Sequence, residues 1–268
     1  EADDCYKKPS VYQNDEMLVE NCEQANKLTD VVVTYDFDDR TETVDRDVIK
    51  GWLTKNDAGD YVLDQNQMAS YISGLAATYD TVGMDRTFST YDGRGISIMG
   101  GTYGWKIDQE AEVKALAEII ENGETQVREP VYAQEGLSRK TNDIGYTYIE
   151  IDLTAQRMVF YKKGTPIADA PVVSGNPYVP NCATPTGCYT VGETKSGYTV
   201  NGEDYPSAVN YWIPFDGNLG INDAPWRGSF GEQLYEFEGT HGSICAPTDQ
   251  VQIIYSNVEK NTPVVIYE

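Results

Sequence analysis

The stretch "YTYIEIDLTAQRMVFYKKGTPIADAPVVSG", residues 146–175, decides the second half of the chain. Ile149, Ile151 and Leu153 alternate strictly with polar residues before a turn near Thr154 and Ala155, and side chains two apart share one face of a strand. The segment therefore reads as consecutive strands. Downstream, "TPTGCYTV" (184–191), "AVNYWIPF" (208–215) and "NTPVVIYE" (261–268) predict further strands. "PTDQVQIIYSNVEK" (247–260) offers one short helix through Val251, Ile254, Tyr255 and Val258.

Upstream the period changes. "DQNQMASYISGLAATYDT" (64–81) places Met68, Ile72, Leu75, Ala76 and Tyr79 at helical spacing, with Asp64 and Gln67 arranged as a capping box. "IDQEAEVKALAEIIENG" (107–123) sets Val113, Leu116, Ile119 and Ile120 on one face, with Asp108 as N-cap and Gly123 at the end. Between these helices, "RTFSTYDGRGISIMGGTYGWKI" (86–107) alternates and turns at its glycines, as short strands with tight loops do. The polar stretch "NGETQVREPVYAQEGLSRKTNDIG" (122–145) lacks a long periodic run and suits a boundary. The expected organisation is an α+β domain over residues 1–130, a linker at 131–143 and a mainly-β domain with one or two short helices at 144–268.

A chain of 268 residues is long enough for two such cores. Its 43 acidic against 20 basic residues leave a net charge of −23, which repels phosphate backbones and anionic lipid surfaces. Nucleic acid is excluded as a partner, and no apolar run is long enough to insert in a membrane. One histidine and no Cys-x-x-Cys pair give no zinc spacing, so neither a metal nor another cofactor is expected. The opening "EADDCYKKPS" carries neither a start methionine nor a signal peptide, so any secretion or anchoring segment is expected outside this sequence. Cys5 and Cys22 bracket a short segment suited to a disulfide in an oxidising compartment, and Cys182, Cys188 and Cys245 offer a second bridge of unspecified pairing.

Five stretches of the second half, "TPTGCYTV", "YWIPF" (211–215), "GINDAPWRGSFGEQLY" (220–235), "GTHGSICAP" (239–247) and "VEKNTPVVIY" (258–267), resemble the YkuD-type L,D-transpeptidase catalytic domain. That family crosslinks peptidoglycan stem peptides through a cysteine acyl-enzyme. The first half resembles the peptidoglycan-binding domain that precedes it in Gram-positive members, through "VIKGWL" (48–53), "YDTVGMDRTFST" (79–90), "GGTYGWKID" (100–108) and "REPVY" (128–132). The resemblance implies an extracellular, cell-wall-associated protein whose partners are peptidoglycan stem peptides or another wall protein.

The family's site joins a Gly-Ile-His-Asp-like segment to Ser-His-Gly-Cys, followed by a hydrophobic residue and Arg or Asn. Thr240, His241 and Gly242 match Ser-His-Gly. Ser243 stands at the nucleophile position, Cys245 at the Arg/Asn position, and Asn222 at the position of the histidine base. A serine hydroxyl needs a base to deprotonate it as it attacks, and an amide has no titratable nitrogen to do so. The expectation is a binder of stem peptides with lost or much reduced transpeptidase activity. The alternatives are acyl transfer through a Ser243/His241 dyad or through Cys245, and an ordinary transpeptidase disabled by mutation, although a Cys→Ser change alone does not explain Asn222 and Cys245. Around these positions Gly242, Ser243 and Ile244 are expected to offer backbone N–H groups to a carbonyl. Tyr211, Trp212, Trp226 and Tyr235 are candidates to line the groove, and Arg227 to clamp a peptide carboxylate.

Overall fold

The computed structural model describes residues 16–140, 142–201 and 206–268. They form two compact units, one comprising the residues up to Tyr79 together with Ile107–Ala133, the other Asp80–Lys106 together with Gln134–Glu268.

The first unit is α+β, as expected. Helices Glu16–Thr29, Arg46–Gly51, Gln65–Tyr79 and Gln109–Asn122 accompany a three-stranded sheet ordered Thr41–Val44, Val33–Asp36, Gln126–Arg128. Both helices anticipated from periodicity form, and their caps are those the sequence places. Asp64 accepts from the backbone N–H groups of Asn66 and Gln67, Asp108 accepts from Ala111, and Gly123 ends its helix in the left-handed region at φ 75°. Met68, Ile72, Leu75, Ala76 and Tyr79 are all buried, and they meet Leu116 and Ile120 in one core with Tyr35, Phe37 and Ile49. That core encloses one carboxylate. Fully buried Glu112 receives both terminal nitrogens of Arg128, the Tyr35 hydroxyl and the Val131 N–H, which supplies the bonds a desolvated anion requires.

The second unit is mainly β. A five-stranded sheet runs in the order Thr165–Pro171, Arg157–Lys162, Tyr148–Asp152, Pro263–Tyr267, Gly187–Thr190. The opening stretch supplies its first three strands in antiparallel register, Ile149 opposite Phe160 and Ile151 opposite Met158. A four-stranded sheet runs Lys195–Asn201, Pro206–Asp216, Leu219–Asp223, Ile244–Ala246. The inner faces of the two sheets and the helix Thr248–Asn257 share a core that includes Ile149, Ile151, Phe160, Ile213, Ile221, Ile244, Val251, Ile254 and Ile266. The second helix of this unit, Leu234–Glu238, is short and has no buried residue. Residues 80–106, which precede the boundary read from composition, pack with this unit: Phe88, Ile98 and Tyr103 share a cluster with Cys188, Val265 and Tyr267. Among the described residues no helix is long and apolar enough to cross a membrane.

Candidate functional site

Leu219–Asp223 and Ile244–Ala246 lie side by side and parallel, with Ile221 opposite Ile244 and Asn222 opposite Cys245. Alternation sends Ile221 and Ile244 into the core and turns Asn222 and Cys245 to the other face. There they line a cavity of about 360 Å³ with Ser243, His241, Trp226 and Arg227. The floor of this cavity is anchored from behind. Asp223, fully buried, accepts from the Asn210 and Tyr211 N–H groups, the Asn210 amide and the Thr248 hydroxyl, which joins the strand to the helix that begins at Thr248.

The segment 240–243 is a tight turn held from both sides. The Thr240 hydroxyl donates to the Ser243 carbonyl and accepts from the Gly242 N–H at 3.2 Å. The Thr184 hydroxyl donates to the Gly242 carbonyl and accepts from the Gly175 N–H, each at 2.9 Å. Gly242 has φ +103°, and a Cβ there would stand 2.9 Å from Leu219 Cδ2. At Gly175 a Cβ would meet the Cys182 carbonyl oxygen at 1.9 Å, so the loop carrying Cys182 closes on bare backbone.

The polar groups of the cavity are engaged by local hydrogen bonds. The Asn222 amide donates to the Asp223 carbonyl at 2.9 Å and to the Cys245 sulfur at 3.4 Å. The Ser243 hydroxyl oxygen accepts from the Gly220 N–H at 3.3 Å. His241 is exposed, and among the described residues no hydrogen bond joins it to Ser243 or Cys245. Cys245 is buried, and burial raises its thiol pKa against the opposing pull of the Arg227 cation and the bond from Asn222. Arg227 donates to the Glu238 carbonyl, lies 3.6 Å from the Glu238 carboxylate, and also bears on the buried Cys245 sulfur.

Not every residue expected at the groove reaches it. Trp212 stands opposite Asn222 on the same face of the sheet, but its ring is buried over Gly220 and stacked on Tyr198 and does not line the cavity. Tyr211 packs on the core beside Tyr255, and Tyr235 packs half-buried against Val173, Ala224 and Cys245. Ile244 belongs to the core, and the Gly242 N–H is already taken by Thr240, so the backbone nest expected around 242–244 is reduced. The bridge expected among Cys182, Cys188 and Cys245 is absent, and all three are free thiols. Cys188 sits in the separate cluster with Tyr103 and Val265, where burial pushes its thiol up to about 12, while Cys182 and Cys245 line the cavity unlinked. Cys22 is an exposed thiol, and its expected partner Cys5 lies outside the described residues. Conversely, Asn181, Asn218 and Leu219 line the cavity without having been singled out. Only the positions of Asn181 and Asn218 beside Pro180 and Gly217 could have signalled those two, and Leu219 begins the strand that carries Asn222. Among the described residues no group of His, Cys, Asp and Glu could hold a metal ion.

Residues 146–266 match the family model of the L,D-transpeptidase catalytic domain, and residues 19–128 that of a peptidoglycan binding domain. A crystal structure of a cysteine-to-serine mutant of the Enterococcus faecium L,D-transpeptidase is 33% identical, covering 92% of this chain and 100% of that one, with a TM-score of 0.71. This chain belongs to the L,D-transpeptidase family. The Ldtfm–avibactam carbamoyl enzyme is likewise 33% identical, over 94% of this chain and 99% of that one, with a TM-score of 0.72. Comparison with curated proteins yields no match. The family's catalytic-domain segment thus contains the whole cavity wall built by Asn222, Arg227, His241, Ser243 and Cys245.

Proposed function

We propose that this L,D-transpeptidase-family protein acts at the cell wall by holding peptidoglycan stem peptides in the cavity, with transpeptidation lost or much reduced. One observation carries the reading: the side chain at 222, where the family has its base, is an amide bonded to a buried thiol, and among the described residues the hydroxyl at 243 accepts from the Gly220 N–H and meets no base. Without a proton acceptor the hydroxyl forfeits general-base assistance worth roughly 10²–10⁴-fold.

The binding surface persists. A peptide carbonyl or carboxylate entering the cavity would meet the guanidinium of Arg227 and the hydroxyl of Ser243. Leu219 supplies apolar contact on the same wall. The region matched to a peptidoglycan binding domain, residues 19–128, contributes a second wall contact in this reading, and the protein works outside the cell.

The test is equilibrium binding of a free stem tetrapeptide to the full chain by calorimetry, beside the variants Arg227→Lys and Arg227→Gln. Saturable binding, retained in part by lysine and weakened about tenfold or more by glutamine, supports the reading. No heat and no displacement at millimolar peptide would sink it.

A further inference from the structure

Four aromatic side chains are strongly exposed among the described residues: Tyr146, Tyr178, Trp226 and Phe237. Three of them, Tyr178 at 72%, Trp226 at 53% and Phe237 at 81%, stand on segments that frame the cavity. Trp226 lines the cavity itself, and Tyr178 lies two residues before Pro180, which also lines it. Leaving such rings in water forgoes the largest apolar burial any side chain can contribute to folding, so their grouping at one place calls for an occupant.

The three segments are tied together. The Asn176 side chain donates to the Glu236 carbonyl at 2.9 Å, its backbone N–H to the Thr240 carbonyl at 3.1 Å, and its side-chain oxygen accepts from the Tyr178 N–H at 2.9 Å. On the other flank, Arg227 donates to the Glu238 carbonyl. Phe237 therefore sits between the two residues whose carbonyls receive the Tyr178 turn on one side and the Trp226–Arg227 turn on the other. The rings are carried by segments joined through side-chain-to-backbone bonds and one backbone–backbone bond.

We infer that Tyr178, Trp226 and Phe237 form a stacking platform for the neutral sugar rings of a glycan strand, an assignment that rests on the stem-peptide reading of the adjoining cavity. The C–H-rich face of a pyranose carries weak positive charge and complements the negative face of an aromatic ring. Charge selects the occupant. Glu232, Glu236 and Glu238 are interspersed with the rings, and a chain of net charge −23 repels polyanions, whereas an N-acetylated hexosamine is neutral. Carboxylate residues flank Phe237 in the chain, which suits successive sugar rings better than a protein face that must bury about 1,000 Å² or more. A stem peptide seated in the cavity is joined covalently to such a strand, so platform and cavity would read one ligand.

The experiment compares three ligands on the full chain by calorimetry: a free stem tetrapeptide, the same tetrapeptide on its disaccharide, and an N-acetylglucosamine tetramer without peptide. The disaccharide-tetrapeptide is expected to bind about tenfold more tightly than the free peptide. Phe237→Ala and Tyr178→Ala, both at exposed positions, should each cost about three- to tenfold toward the disaccharide-tetrapeptide and nothing toward the free peptide. Equal affinity for the two peptide ligands overturns the platform while leaving the cavity reading intact. Binding of the tetramer, lost in both variants, with no binding of the free peptide would do the reverse. Unchanged affinity in both variants also overturns the platform and would point the exposed rings toward a protein partner.

Discussion

If the missing base and thiol are what silence the site, putting them back should restore acyl transfer in a calculable order. In Ser243→Cys alone, a thiol of ordinary pKa near 8.5 is about 3% ionised at pH 7. Adding Asn222→His places an imidazole where the Asn222 amide now donates to the Asp223 carbonyl at 2.9 Å. A ring N–H can inherit that bond, fixing the tautomer and leaving the second nitrogen to hold the thiol proton. Full ionisation is then worth up to about 30-fold over the single variant. Changing Cys245 to Asn as well removes the second sulfur, which now occupies the place beside residue 222. The assay is the time course of intact mass with avibactam, which forms a carbamoyl enzyme in the 33%-identical relative. The expected order is native chain, Ser243→Cys, then the triple variant, the last two separated by about 10–30-fold. A folded triple variant no faster than Ser243→Cys would refute the placement of residue 222 as the lost base.

Further outcomes follow from other parts of the structure. Gly242→Ala forces a side chain onto a left-handed backbone 2.9 Å from Leu219 Cδ2 and should cost about 1–3 kcal/mol in urea unfolding as well as weakening stem-peptide binding. Arg128→Met strips buried Glu112 of its cation and should destabilise the first unit by about 3–5 kcal/mol; a loss below about 1 kcal/mol would show that the tyrosine and backbone donors suffice. Glu150 is buried and its carboxyl pKa is raised, chiefly by desolvation, against bonds from the Tyr267 hydroxyl and Tyr91 N–H. A raised carboxyl pKa means that the folded state binds the proton more tightly. Its stabilising contribution is therefore present below the unfolded value of 4.5 and is lost as pH rises through the folded one, and Glu150→Gln should flatten this decline in melting temperature. After mild reduction, iodoacetamide at pH 8 should label exposed Cys22 rapidly and spare Cys188 and Cys245 until the protein is unfolded.

The parts of the fold legible in sequence are those where a single period governs a whole element. The helix faces of 65–79 and 109–122, with Asp64 and Asp108 capping them, and the alternation around Ile149 and Ile151 emerged as read, because burial of one face is what sets those patterns. The helix Glu16–Thr29 gives no such signal: Met17, Leu18 and Val19 are exposed, and only Leu28 and Thr29 are buried. The segment 80–106 was misleading for a different reason. It is contiguous with the first unit in sequence, yet Phe88 and Tyr103 find their apolar partners on Val265 and Cys188, a long-range choice that no local pattern records.

At the site, the positions were legible and the orientations were not. Asn222, Ser243, Cys245, His241, Trp226 and Arg227 do converge on one cavity. Trp212, by contrast, shares the face of Asn222, and its exclusion from the cavity depends on the stacking of its ring on Tyr198 over Gly220, while the separation of Cys188 from Cys182 and Cys245 depends on how the strands pair. The pairing of Asn222 with Cys245 also required the parallel register of two strands far apart in the chain.

The central claim is that this cavity holds wall peptide without forming an acyl-enzyme. The most direct measurement is intact-mass spectrometry of the native chain after prolonged incubation with avibactam and, separately, with a stem tetrapeptide, followed by peptide mapping. The account predicts unmodified mass in both cases under conditions where calorimetry shows the peptide bound; a covalent adduct mapped to Ser243 or Cys245 would contradict it.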